Sequence, residues 1–236
     1  RIIGFFPCGH GRILIRSGRW RQGGITDKAI VLNVRSYTLP DMARKTGSHS
    51  EITGPRIRDA ALRLFARHGF AAVSMRQIAA DVGVQAGALY LYTRDKETLL
   101  FDLLKSHMDD LIAAWSIHKS GENPQERLES FVRFHIAFNL DRPEAVFLSY
   151  MELRNLGREN FAVIEGLRKQ YETELENIVK DGRATGVFSA PDSKIAALAI
   201  IAMLTGVTTW YRDGGRLSRQ KIGDIYCDMA RKAVSG

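Results

Sequence analysis

The sequence predicts an all-α protein, with a three-helix helix-turn-helix unit followed by six further helices. Two observations carry that expectation. From Thr53 onward, apolar residues recur at helical spacing in one segment after another, and no stretch shows a sustained strand-like alternation. The segments are separated by the residue types that cap or break helices. With 236 residues, 45% of them hydrophobic and 25% charged, the chain has ordinary globular composition and ample material for a core.

The elements follow in order. Pro55, after Gly54, suits a first helical position; Ile57, Ala61, Leu64 and Phe65 share a face, and Gly69 ends the helix. Ser74-Met75-Arg76-Gln77 forms a capping box that opens a second helix ending at Gly83. A third runs from about Ala86 to Tyr92. Asp95 caps a long fourth helix carrying Leu99, Leu103, Leu111 and Trp115. Asn123-Pro124-Gln125-Glu126 opens the fifth, and Pro143 sits near the start of the sixth. The seventh spans roughly 159–184, before Gly186. Asp192 opens an eighth, apolar nearly all round, that ends at Trp210. Ser218 caps the ninth, with Ile222, Ile225 and Met229 on one stripe.

Charge is unevenly distributed. The net charge is +8, of which residues 1–48 supply +7, residues 49–94 +3 and residues 95–236 −2. The first 48 residues are broken by glycines and lack a sustained period. They are expected to form a basic, disordered extension, with Met42 a more natural start and Arg12–Arg16 and Ala29–Leu32 as short strand-like alternations. Residues 49–94 and 95–236 are the two expected domains. No run approaches the length of a membrane span, and no signal-peptide pattern opens the chain. Cys8 and Cys227 make neither a disulfide framework nor a metal knuckle, and no metal or cofactor is expected.

Residues 75–92 meet the packing demands of a helix-turn-helix. Ile78 and Val82 are apolar, Ala79 is small where the helices cross, and Gly83 accepts the positive φ of the turn. Val84, Leu89 and Tyr92 close the miniature core. The second helix of such a pair presents its N-terminal residues to a major groove, and Gln85-Ala86-Gly87-Ala88 is small enough for close backbone approach.

The segments Ile57-Arg58-Asp59-Ala60-Ala61-Leu62-Arg63-Leu64-Phe65, Ser74-Met75-Arg76-Gln77-Ile78-Ala79, Gly83-Val84 and Leu89-Tyr90-Leu91-Tyr92 through Asp95-Lys96 resemble the TetR family of bacterial repressors. That resemblance implies a DNA-binding domain, a ligand-binding and dimerisation domain, and repression released by a small molecule. Carried over by position, Ser74, Arg76, Tyr92 and Lys96 are expected at phosphates, and Gln85, Ala86, Gly87, Ala88, Tyr90 and Leu91 at the groove. Gln85, Leu91 and Thr93 depart from the residues common in the family, which leaves base preference open. The implied partners are a palindromic double-stranded DNA operator, a second copy of the chain and a small hydrophobic effector, with no membrane. The expected location is the bacterial cytoplasm.

For the effector, Trp115, Phe134, Phe138, Phe147, Met151, Arg154, Tyr171 and Trp210 are the expected pocket, although an aromatic stripe is as often plain core. The stretch Trp210–Ser218 resembles an acyl-CoA-sensing subgroup. Arg154 and Arg158, read as four apart on one helix, with Arg168 and Lys169, are candidate receivers of its phosphates. A lipophilic drug, with an efflux gene as target, is the alternative. A non-specific architectural DNA binder using the basic extension is the rival from another class. An enzyme is not expected: Ser218-Arg219-Gln220-Lys221 lacks partner motifs, and Pro7-Cys8-Gly9-His10 is a lone pair.

Overall fold

The computed structural model of the chain describes residues 4–8, 12–16 and 46–235. It separates into two units, Arg1–Lys45 and Thr46–Gly236. In the first, β1 (Gly4–Cys8) and β2 (Arg12–Arg16) pair antiparallel, Gly4 opposite Arg16 and Cys8 opposite Arg12. The alternation expected at Arg12–Arg16 therefore lies in a ladder, whereas Ala29–Leu32 falls outside the described residues.

The second unit is helical throughout. It comprises α1 (Thr46–His68), α2 (Met75–Val82), α3 (Ala86–Leu89), α4 (Lys96–His118) and α5 (Pro124–Leu140). It continues with α6 (Pro143–Met151), a 3-10 turn (Leu153–Asn155), α7 (Arg158–Ala184), α8 (Ser193–Thr205), α9 (Val207–Trp210) and α10 (Arg219–Ser235). The caps are where the sequence places them. Backbone N–H groups of Gln77, Thr98, Glu126, Ile195 and Lys221 donate to the side chains of Ser74, Asp95, Asn123, Asp192 and Ser218.

Four boundaries differ from expectation. Pro55 lies inside α1 and does not open it, because a proline forfeits one helical hydrogen bond without ending a helix that other contacts hold. This also moves the start of the helical unit ahead of residue 49. α3 is a single turn, extended to Tyr92 by turn hydrogen bonds such as Tyr92 N–H to Leu89 O at 2.9 Å. Gly206 divides the eighth expected helix into α8 and α9. Arg154 and Arg158 do not share a helix: α6 ends before Glu152, and Gly157 in extended conformation starts α7 afresh.

The core centres on α5, which packs against α4, α7, α8 and α10. Leu128, Phe131 and Val132 are fully buried on it. Trp115 of α4 meets the Phe131 ring edge-on at 5.0 Å and donates its indole N–H to Glu174 Oε2 at 3.1 Å. Ser193–Trp210 has a mean hydropathy of 1.5, enough by length and composition to cross a membrane, so the expectation that no run comes near a span needs correcting. Its apolar character has another outlet here: Ala197, Ile200, Ile201, Leu204 and Val207 are buried inside the bundle.

The bundle closes at its far end around one glycine. A Cβ on Gly182 of α7 would fall 1.9 Å from Phe188 Cδ2. Beyond Phe188, the N–H groups of Ser189 and Ala190 both donate to Val234 O near the end of α10, at 2.8 and 3.0 Å. Gly182→Ala is expected to lower unfolding free energy by about 1–3 kcal/mol through overpacking. Gly166→Ala, on the same helix and with nothing within 4 Å of its Cβ, is expected to raise it by up to about 1 kcal/mol. Urea denaturation of the two variants measures both.

Candidate nucleic-acid interface and effector cavity

The helix-turn-helix is assembled by local hydrogen bonds. Ser74 N–H donates to Gln77 Oε1 at 2.7 Å while Gln77 N–H returns to Ser74 Oγ at 3.3 Å, which starts α2. Gly83 ends it at φ 78°, and the next N–H, of Val84, reaches back to Ala79 O at 2.9 Å. Ile78, Ala79, Val82 and Leu89 are buried between α2 and α3. α1 is tied across the pair by Arg56 Nη2 to Val82 O at 2.8 Å and by the exposed Arg63–Asp81 ion pair.

Of the ten residues expected at DNA, six are exposed: Ser74, Arg76, Gln85, Gly87, Tyr90 and Leu91, the last at 84%. Gln85 caps α3 by backbone position only, so its side chain is free. A Cβ on Gly87 would meet nothing within 4 Å, so no intramolecular packing demands glycine there. Ala86 and Ala88 are half-buried between that surface and the core. Tyr92 is half-buried, with its ring facing Gly54 of α1. Lys96 also has internal partners. Its ammonium donates to Phe70 O at 2.8 Å and Val73 O at 2.9 Å and sits 4.2 Å from the Phe70 ring centroid. Two of its three N–H donors therefore bind the turn between α1 and α2.

Two buried or half-buried carboxylates join this head to the rest of the bundle. Glu152, only 7% exposed, accepts the Phe70 N–H at 3.0 Å through Oε1 and the Asn155 amide at 2.6 Å through Oε2. Glu97 at the start of α4 accepts from Gly157 N–H at 2.7 Å and Asn160 Nδ2 at 3.1 Å.

Below them lies a cavity of about 210 Å³ between α4, α5, α6, α7 and α8. Of the eight residues expected to line an effector pocket, Tyr171 lies on its wall. Trp115, Phe134 and Phe138 are buried together in an aromatic cluster, with Phe134 5.3 Å from Trp115 and 5.6 Å from Phe138. Phe147, Met151, Arg154 and Trp210 are exposed. For the three buried rings the reason is mutual packing, which takes them into the core, whereas the other four stand on solvent-facing positions.

The wall is mostly apolar, with Met108, Leu111, Val146 and Ile201 among its residues, but it carries one connected polar network. With the Asn139 amide presenting its N–H, His135 Nε2 accepts from Asn139 at 2.8 Å, and Thr205 Oγ1 lies 3.0 Å from the same nitrogen. His135 Nδ1–H then donates to Tyr171 Oη at 3.1 Å, and the Tyr150 and Thr205 hydroxyls share a hydrogen bond at 3.2 Å. Burial, with a smaller push from His107, holds His135 neutral at a pKa of about 3. His107 is also neutral, lowered to about 4 chiefly by burial and then by the charges of Arg142 and Arg168, and its Nδ1 has no hydrogen-bond partner. Burial raises the Tyr171 pKa well above its ordinary value, so its hydroxyl stays protonated. Arg168 spans to α6, donating to Ser149 O at 2.8 Å with its guanidinium 4.7 Å from the Tyr150 ring centroid. Among the described residues no group of three metal-ligating side chains converges. The signal for this cavity in the sequence is faint: His135 and Asn139 stand four apart on one face of α5, where the surrounding pattern asks for apolar residues.

Residues 57–103 match the family described as bacterial regulatory proteins, tetR family, and residues 121–234 match the tetracyclin repressor-like C-terminal domain. The chain is 31% identical over 170 residues to the HTH-type transcriptional repressor KstR2 of Mycobacterium tuberculosis, covering 70% of this chain and 84% of that protein. A tetR-family regulatory protein from Rhodococcus RHA1 superposes with a TM-score of 0.74 at 28% identity, over 78% of this chain and 97% of that one. AibR, solved in complex with isovaleryl coenzyme A and operator DNA, superposes with a TM-score of 0.69 at 27% identity, over 75% and 97%. The chain thus belongs to the TetR family of bacterial regulators, which are DNA-binding transcription factors and not enzymes.

Proposed function

We propose that this repressor binds a palindromic operator in the bacterial cytoplasm as a homodimer and leaves it when a small effector, an acyl-CoA by preference, occupies the cavity. The observation that carries this reading is the continuity between cavity and reading head. Ser149 and Tyr150 of the cavity wall stand two or three residues before Glu152, whose carboxylate holds the Phe70 N–H of the head. An effector that shifts α6 therefore pulls on the turn that Lys96 also grips, and a coupling of ~1–3 kcal/mol is enough to change operator occupancy. AibR, a relative of the same fold with isovaleryl coenzyme A and operator DNA both bound, supports the effector class.

Dimerisation is assigned to α8 and α10. Ile195, Leu198, Ile225 and Met229 expose apolar side chains on these two adjacent helices, Ile195 by 63%. A two-fold pair of recognition helices reads two half-sites about one DNA turn apart.

Four experiments test the proposal. Protein lacking residues 1–45 should still footprint a palindrome in the upstream region of its own gene, and isovaleryl-CoA or a longer acyl-CoA should remove that footprint. A footprint unchanged by every acyl-CoA at saturation would sink the effector class. Met229→Asp, in sedimentation and gel-shift measurements, should yield a folded monomer with operator affinity lowered by more than about a hundredfold, as a buried unpaired charge and a lost half-site demand. Gly87→Ser should weaken operator binding about tenfold without loss of thermal stability. Lys96→Met should lower the melting temperature as well as binding, because it leaves two backbone carbonyls without donors.

A further inference from the structure

The proposal that this cavity holds the effector leaves the chemistry of the occupant open, and the wall narrows it. An apolar cavity of ~150 Å³ is dry and takes a benzene ring. At about 210 Å³ this one has room for a ring and two or three further heavy atoms. Its wall, unlike that of an apolar void, carries hydrogen-bonding groups with capacity left over. With an Asn139 N–H on His135 Nε2, the His135 network ends on Tyr171 Oη as an acceptor, so the Tyr171 hydroxyl proton remains to be given. Among the described residues His107 is 7% exposed, lines the same space and has an unpartnered Nδ1, which leaves a buried polar atom at full desolvation cost. Arg168 gives one hydrogen bond to the Ser149 carbonyl and has further N–H groups at the wall. With His107 in its Nδ1–H tautomer, donors from Tyr171, His107 and Arg168 line one space.

Charge distinguishes between acceptors. Arg168 and Glu172, one charge of each sign, both line the cavity, and the two histidines are neutral. An anion would gain little there and would lose its hydration. We infer that the cavity selects a compact, mainly apolar molecule or acyl group bearing an uncharged carbonyl oxygen, received by Tyr171 and His107 beside Arg168. A ketone and a thioester share that chemistry.

This inference rests on the cavity being the effector site, but it can be tested by direct binding with no DNA present. Four one-ring probes separate the possibilities: ethylbenzene, acetophenone, benzoate and benzoyl-CoA. Each is titrated into the full-length protein by calorimetry and ligand-observed NMR. Acetophenone, benzoyl-CoA or both should bind at least tenfold more tightly than ethylbenzene, and benzoate should bind no better than acetophenone. Preference between the first two identifies the source of the carbonyl. His107→Leu should cost the carbonyl probe about tenfold while leaving ethylbenzene within about threefold, and His107→Gln, which restores an N–H, should recover part of the loss. Tyr171→Phe should act in the same direction, with melting temperatures of all three variants reporting that the bundle remains folded. Equal affinity for ethylbenzene, stronger binding of benzoate, no detectable carbonyl binding at about 10 mM, or indifference to His107→Leu would each overturn the inference. Binding as expected without release of the operator would overturn the regulatory reading and leave this one standing.

Discussion

The helical unit depends on one buried carboxylate that spans its two halves. Glu152 stands at the C-terminal end of α6 and holds the backbone of Phe70 in the turn between α1 and α2. A buried charge of this kind is tolerated only when hydrogen-bonded on both oxygens, and Asn155 fills the second position. Lys96 grips the same turn from the other side through Phe70 O and Val73 O. The recognition helix is therefore oriented by a turn clamped between α4 and α6, the two helices that also wall the cavity. Structural support of the head and its link to the effector domain are provided by the same few bonds.

The polar network in the cavity wall has a matching role. A void among packed helices lined by hydrocarbon would be filled by collapse or by larger side chains, since lost dispersion contacts cost roughly in proportion to its volume. The Asn139–His135–Tyr171 chain resists collapse differently, by fixing α5, α7 and α8 at hydrogen-bonding distance. The space persists because its walls are held apart by directed bonds. A ligand that joins those bonds has an orientation imposed on it, which hydrophobic contact alone does not supply.

What was legible in the sequence divides by the range of the interaction. Ser74, Gly83, Asp95, Asn123, Asp192 and Ser218 announce their roles because a cap acts on residues within a turn of itself. The mini-core of Ile78, Ala79, Val82 and Leu89 was equally readable, as its spacing is set by helix geometry. The cavity was not. His135 meets Tyr171 36 residues away and Thr205 70 residues away, and no periodicity encodes such a meeting. Aromatic residues drew attention to Trp115, Phe134 and Phe138, which instead pack on one another. Lys96 matches a phosphate contact by position, yet a carbonyl pair 23 and 26 residues upstream claims its ammonium. Counting along a single helix pairs Arg154 with Arg158, but Gly157 interrupts that helix.

The open space around Gly87 has a consequence for how such proteins diversify. Ile78, Val82 and Leu89 hold the helices together from beneath, while Gln85, Gly87, Tyr90 and Leu91 face outward with little internal duty. Mutations at these outward positions can drift or be selected without first being screened by foldability. After gene duplication, a copy could acquire a new operator while its effector response stays intact. The same separation makes the four positions a natural target for randomisation when a sensor with a chosen DNA address is wanted.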